Sequence, residues 1–104
     1  MSEEIKNTLK NGKVRFMIFK KGNSWYGVAL EFNIVEVNKN PEIALFDLLD
    51  AISGYVESAI KNKIDISMLK QKVYKEYESI WTKATRKKQS PLVYIFGEKS
   101  LIKT

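Results

Sequence analysis

The 104-residue chain contains no cysteine and no histidine. Without cysteine it has no disulfide, no thiolate nucleophile and no sulfur-ligated zinc, a composition that fits a reducing cytoplasm. Without histidine it lacks the usual general base near neutral pH and the commonest metal ligand. A Ser-His-Asp triad, a Cys-His pair and a histidine metal centre are thereby excluded, and catalysis would have to rest on carboxylates, lysine or tyrosine. Proline occurs twice and glycine five times. The glycines (12, 22, 27, 54 and 97) are isolated, and none opens a helix in the spacing of a phosphate-binding loop. Long apolar runs are also missing. No window approaches the roughly 18 residues needed to cross a bilayer, and Met1 to Gly12 has no signal-peptide core. The expectation is one soluble, cytoplasmic domain of 104 residues, with no cofactor and no metal.

Acid is scarce in one half only. Residues 1–60 hold seven Lys/Arg against eight Asp/Glu, whereas residues 61–104 hold eleven against four, which accounts for the net charge of +6. Such asymmetry points to an acidic partner, a protein face or nucleic acid, at the C-terminal half. A solvated lysine-rich helix face gives the same pattern.

What is present reads as α+β. In a first strand at about 13–20, Val14, Phe16 and Ile18 alternate with Arg15, Met17 and Phe19, so the reverse face is itself partly apolar. Lys21-Gly22-Asn23 reads as a hairpin loop. A second strand at about 24–30 carries Gly27 and Ala29, small enough to admit a close neighbour. A tight connection at Phe32-Asn33 leads to a third strand at about 34–38, completing an antiparallel meander. In that strand Glu36 alternates with Val35 and Val37, as a solvent-facing residue would. Asn40 as N-cap and Pro41 at the first helical position open an amphipathic helix over 41–61, packed on the sheet. Gly54 within it suggests close packing against the strands. Asp65 reads as the cap of a second, long basic helix over about 66–87. Its seam is Ile66, Leu69, Val73, Tyr77, Ile80 and Ala84, with Trp81 at the edge, at spacings of three and four. Ser90-Pro91 stops it, and Leu92 to Phe96 is a continuous apolar run ended by Gly97. That run reads as a C-terminal strand buried on both faces or covered by a partner.

Four acids, Glu31, Glu36, Asp47 and Asp50, lie on or after the strands, but Asp47 and Asp50 fall on the outer side of the amphipathic helix and Glu36 reads as solvent-facing, so no catalytic set is assigned. Lys83, Arg86, Lys87 and Lys88 form the candidate contact for nucleic acid or an acidic partner. A narrow helical seam needs its own sheet or another subunit to lie on. Leu69, Val73, Tyr77, Ile80, Trp81, Val93 and Ile95 are therefore the candidate oligomer interface.

The stretch from Val14 to Lys61 resembles the HicB-like antitoxin family in its small N-terminal domain. The residues that carry the resemblance are Trp25-Tyr26-Gly27-Val28-Ala29-Leu30, Val35-Glu36-Val37 and Asn40-Pro41-Glu42-Ile43-Ala44. Leu45, Leu48, Ile52 and Tyr55-Val56 complete it in the helix. The chain departs from the pattern at Glu31-Phe32-Asn33, where a turn with proline and glycine is usual, and at Ile43, where a capping-box glutamate is common. The family's frequent C-terminal DNA-binding domain is not recognisable in residues 65–87, which read as one long helix instead. The resemblance implies a partial ribonuclease H-like fold without ribonuclease activity, binding a protein partner such as a small RNA-cleaving, HicA-like toxin. The expectation that the chain self-associates rests instead on the seam of the second helix and the run from Leu92 to Phe96. The alternative reading is a nucleic-acid-binding protein using the basic helix 66–88. A double-stranded-RNA-binding domain shares the three strands before a helix, but needs a full helix ahead of them.

Overall fold

The computed structural model describes Leu9 and residues 12–86 and 92–101. Strands β1 (Lys13–Lys21), β2 (Ser24–Ala29) and β3 (Ile34–Asn38) form the meander, and helix α1 (Pro41–Lys61) follows. A short 3-10 helix (Ile66–Leu69), helix α2 (Lys75–Thr85) and strand β4 (Val93–Ser100) complete the chain. All strand pairings are antiparallel, in the order β3-β2-β1-β4. The fold is α+β, as the pattern predicts.

Local chemistry sets the first half. Gly22, at φ 66, provides the left-handed residue of the two-residue hairpin, and Lys21 pairs with Ser24 across it. The next turn uses Asn33, at φ 56, whose N–H donates to the Leu30 carbonyl. Asparagine tolerates this conformation better than other non-glycine residues, so it replaces the glycine the sequence lacks here. Asn40 Oδ1 accepts from the N–H groups of Glu42 (2.8 Å) and Ile43 (3.3 Å), and Pro41 follows at the first helical position. The α1 boundaries coincide with the sequence reading.

The two rows of β1 serve two cores. Val14 and Ile18 are fully buried with Ala29, Ala44, Leu48 and Ile52, beneath α1. Met17 and Phe19 are buried with Val28 and Leu30 on the opposite face, where Tyr77, Ile80 and Trp81 of α2 pack. At about 25 cal/mol per Å² of apolar surface, each fully buried Ile or Leu contributes roughly 1.5–3 kcal/mol. The sheet thus lies between α1 and α2.

Several expectations need correction. The helix expected over 66–87 is two elements joined by extended chain. Leu69 belongs to the core under α1, whereas Val73 packs on the other face. The segment between them must therefore pass from one side of the sheet to the other, and a straight helix cannot do so. Gln71 N–H accordingly leaves any helical ladder and donates to the Glu31 carbonyl at 2.6 Å. Gly54 is exposed, with no atom within 4 Å of where a Cβ would stand, so it marks no close packing. Gly27 does: a Cβ there would meet Ile18, Ala44 and Leu48.

Glu36 is not on the solvent face. Its pairing with Gly27 puts it in the row on the α1 side, half-buried, while Val35 and Val37 lie on the other face and are exposed. The turn at Asn33 fixes this register, because it brings Ile34, not Val35, opposite Ala29 in the core row. Gly97 does not end β4. It lies inside the strand opposite Phe16, and the ring of Phe16 would touch its Cβ at 3.4 Å. β4 itself is not buried on both faces, as described next.

Candidate interaction surfaces

β4 is an edge strand, hydrogen-bonded to β1 on one side only among the described residues. Its pairing with β1 is irregular at Ile18/Phe19, where the partner steps from Ile95 to Val93. α1 packs chiefly over β2 and β3, where Gly27 admits it, and leaves the β4 side open. Leu92, Tyr94, Ile95 and Phe96 are 39–54% exposed, Phe96 on the α2 face, opposite Met17 and against Trp81. An eight-residue edge rich in apolar side chains is a template for pairing with another chain, and most proteins blunt such edges with charge, proline or a cover. Charge is confined here to the far end, at Glu98 and Lys99. Between that end and the second half of α1 runs a groove of about 910 Å³. Its apolar lining is Ile52, Val56, Ile60 and Leu101, with Lys61 and Lys99 at the rim.

The residues assigned from sequence to an oligomer interface divide unequally. Leu69 is buried in the core under α1, and Val73, Tyr77, Ile80, Trp81 and Val93 pack on the chain's own second core. The seam thus rests on its own sheet. Ile95 alone of the seven stands among the exposed apolar residues, beside Tyr94 and Phe96. Of the basic cluster, Lys83 and Arg86 are exposed at the C-terminal end of α2, where cations complement the helix dipole. Lys87 and Lys88 lie outside the described residues.

A buried polar cluster was not foreseen. Arg15 sits in the β1 row with Met17 and Phe19, 5% exposed, beside Glu31, which is 0% exposed. Glu31 takes the Arg15 backbone N–H on Oε1 (2.9 Å) and Nε–H on Oε2 (2.6 Å). Glu78 of α2 takes the two terminal nitrogens as a fork, Nη1 at 3.0 Å and Nη2 at 2.7 Å. The guanidinium also lies 5.3 Å from the Trp81 ring centroid. Burial alone would lower the Arg15 pKa, but the Glu78 and Glu31 carboxylates outweigh it and hold the pKa above its usual value. Arg15 therefore stays charged throughout the working range. Breaking such a buried pair by removing one partner costs about 3–5 kcal/mol. The sequence did carry a signal: a cation in an otherwise apolar, inward row requires a buried partner. The partner's identity was hidden by the separation of 16 residues.

Among the described residues no group of three His, Cys, Asp or Glu side chains could hold a metal ion. Glu31, the one buried acid among them, is committed to Arg15. Among the same residues no helix is long and apolar enough to cross a membrane. Fold and surfaces together define a small α+β domain whose four-stranded sheet has a helix on each face and, among the described residues, is open at β4. No family model, curated protein or solved structure matches the chain.

Proposed function

We propose that this chain is a non-catalytic binding module of the HicB-like kind, which recruits a protein partner and a second copy of itself through the β4 edge. The observation that carries the reading is that edge: eight residues of strand, apolar over its first half, left open beside α1. A strand from another chain that adds there gains main-chain hydrogen bonds, and the side chains of Tyr94, Ile95 and Phe96 supply the selectivity. The resemblance over residues 14–61 supports a partner such as a small RNA-cleaving toxin. The missing cysteine and histidine argue against an enzyme of the commoner hydrolytic types.

The test is affinity capture of the tagged chain from its native cell extract, with mass spectrometry, in wild-type and Ile95→Lys forms. A small protein held at fixed stoichiometry by the wild type and lost from Ile95→Lys is the expected result. Equal capture by both forms would refute the edge.

Nucleic-acid binding at the end of α2 is a second reading, favoured because Lys83 and Arg86 are exposed and enter no ion pair among the described residues. It requires affinity that falls steeply with salt and vanishes when Lys83, Arg86, Lys87 and Lys88 become glutamine.

A further inference from the structure

The two sides of the α2 interface are held very unequally. Beneath it, Met17, Phe19 and Val28, on strands that are paired on both sides, and Leu30, just after β2, are fully or almost fully buried. Above it, α2 has no buried residue, and its N-cap position, Tyr74, provides no side-chain hydrogen bond. Its 11 residues make three turns, a length that is marginal in water without tertiary support. The extended chain that leads into it is tied to the sheet by the Gln71–Glu31 backbone bond. Elements with these properties open at lower free energy than the core they cover.

Arg15 divides the same way. Glu31 grips its backbone N–H and Nε–H from within the sheet layer, so the side chain keeps its direction whether or not α2 is in place. The two terminal nitrogens point to α2 and are met, among the described residues, by Glu78 alone. With α2 lifted, a fixed guanidinium fork would stand at the rim of an apolar surface. That combination recognises one kind of ligand: a helix with a carboxylate on its apolar stripe. Forked Arg–carboxylate pairs add direction as well as strength, and α2 shows the rest of the pattern. Tyr77 sits against Phe19 (6.1 Å between ring centroids), and Trp81 sits against Phe96 (5.5 Å) and Arg15.

We propose that the sheet face beneath α2 is a helix-docking groove, occupied at rest by α2 and taken by a partner protein's acidic amphipathic helix through the Arg15 fork. The proposal goes beyond the β4 edge and is separable from it, since a change made in the docking helix itself leaves the chain that carries β4 unaltered. The partner helix would carry an acid with aromatic or aliphatic residues one position before it and two and three positions after it, as Tyr77, Ile80 and Trp81 stand around Glu78.

The test uses the full chain and a fluorescein-labelled peptide with the sequence of residues 73–86, followed by anisotropy. In the wild type α2 competes for the groove. Trp81→Ala removes contacts that α2 makes with the sheet and changes no residue of β1 or β2, so it should bind the peptide at least tenfold more tightly. Adding Arg15→Gln to that variant, or replacing the peptide's own glutamate at position 78 by glutamine, should abolish the gain. Hydrogen exchange confirms that β1 and β2 stay protected, and Tyr77→Ser serves in place of Trp81→Ala if they do not. Equal binding by wild type and loosened chain, or indifference to the glutamine peptide, would overturn the proposal. A loosened chain that dimerises without taking the peptide would assign the groove to a second copy's α2 and overturn it equally.

Discussion

Gly27→Ala probes the contact that places α1 and, through it, leaves β4 uncovered. A methyl at position 27 would stand 3.0 Å from Ile18 Cδ1, 3.1 Å from the Ala44 carbonyl oxygen and 3.3 Å from Leu48 Cβ. The isoleucine methyl can turn away. The Ala44 oxygen is helix backbone, and Leu48 Cβ is fixed to it, so α1 must rise from the sheet by a few tenths of an ångström. Overpacking of this kind costs about 1–3 kcal/mol. Removing a glycine from a strand returns about 0.5–1 kcal/mol through the unfolded state. The net expectation is destabilisation by about 0.5–2 kcal/mol, or roughly 4–8 °C in melting temperature per kcal/mol for a domain of this size. Urea unfolding followed by tryptophan fluorescence measures it, with a lowered midpoint and an unchanged slope. A Gly27→Ala chain as stable as the wild type would show that α1 does not approach β2 as described.

Gly54→Ala is the contrasting case. With open space around the site and a helical position, it should stabilise the chain by up to about 1 kcal/mol, read from the same urea midpoint. The docking of α2 should also weaken at alkaline pH. Burial raises the Tyr77 pKa above its ordinary value, and the hydrogen bond to Glu76 raises that of Lys21. Both pKa values are raised in the fold, so both contributions are complete below the unfolded values near 10 and are lost as pH rises through the folded ones. In a Trp25→Phe background, Trp81 emission should report exposure above about pH 10, before the far-ultraviolet signal dominated by α1 declines. Simultaneous loss of the two signals would contradict this.

How much of this was legible in the sequence depends on whether the controlling interaction is local. Helix α1 was readable to the residue, because Asn40, Pro41 and the three- and four-residue spacing all act within one or two turns. The meander was readable for the same reason, from Gly22 and the alternation in β1. The region 66–87 was not. Leu69, Val73 and Tyr77 fall at helical spacing, yet the first belongs to one core and the other two to the opposite one. Periodicity records which residues are buried and not which layer buries them. The row occupied by Glu36 depended on the single turn residue Asn33, whose left-handed backbone has no unique signature. The Arg15–Glu31–Glu78 cluster joins three elements and could be anticipated only as an unpaired cation in an apolar row. The role of β4 was half visible: its apolar run was evident, but its place at the edge follows from the path of the chain across both faces of the sheet.

Light scattering on the purified chain across micromolar concentrations shows whether β4 is an adhesive edge. A mass near twice the 12.0 kDa of one chain is expected for the wild type, returning to 12.0 kDa in Ile95→Lys. A wild-type chain that stays at 12.0 kDa throughout, or an Ile95→Lys chain that still dimerises, would contradict it.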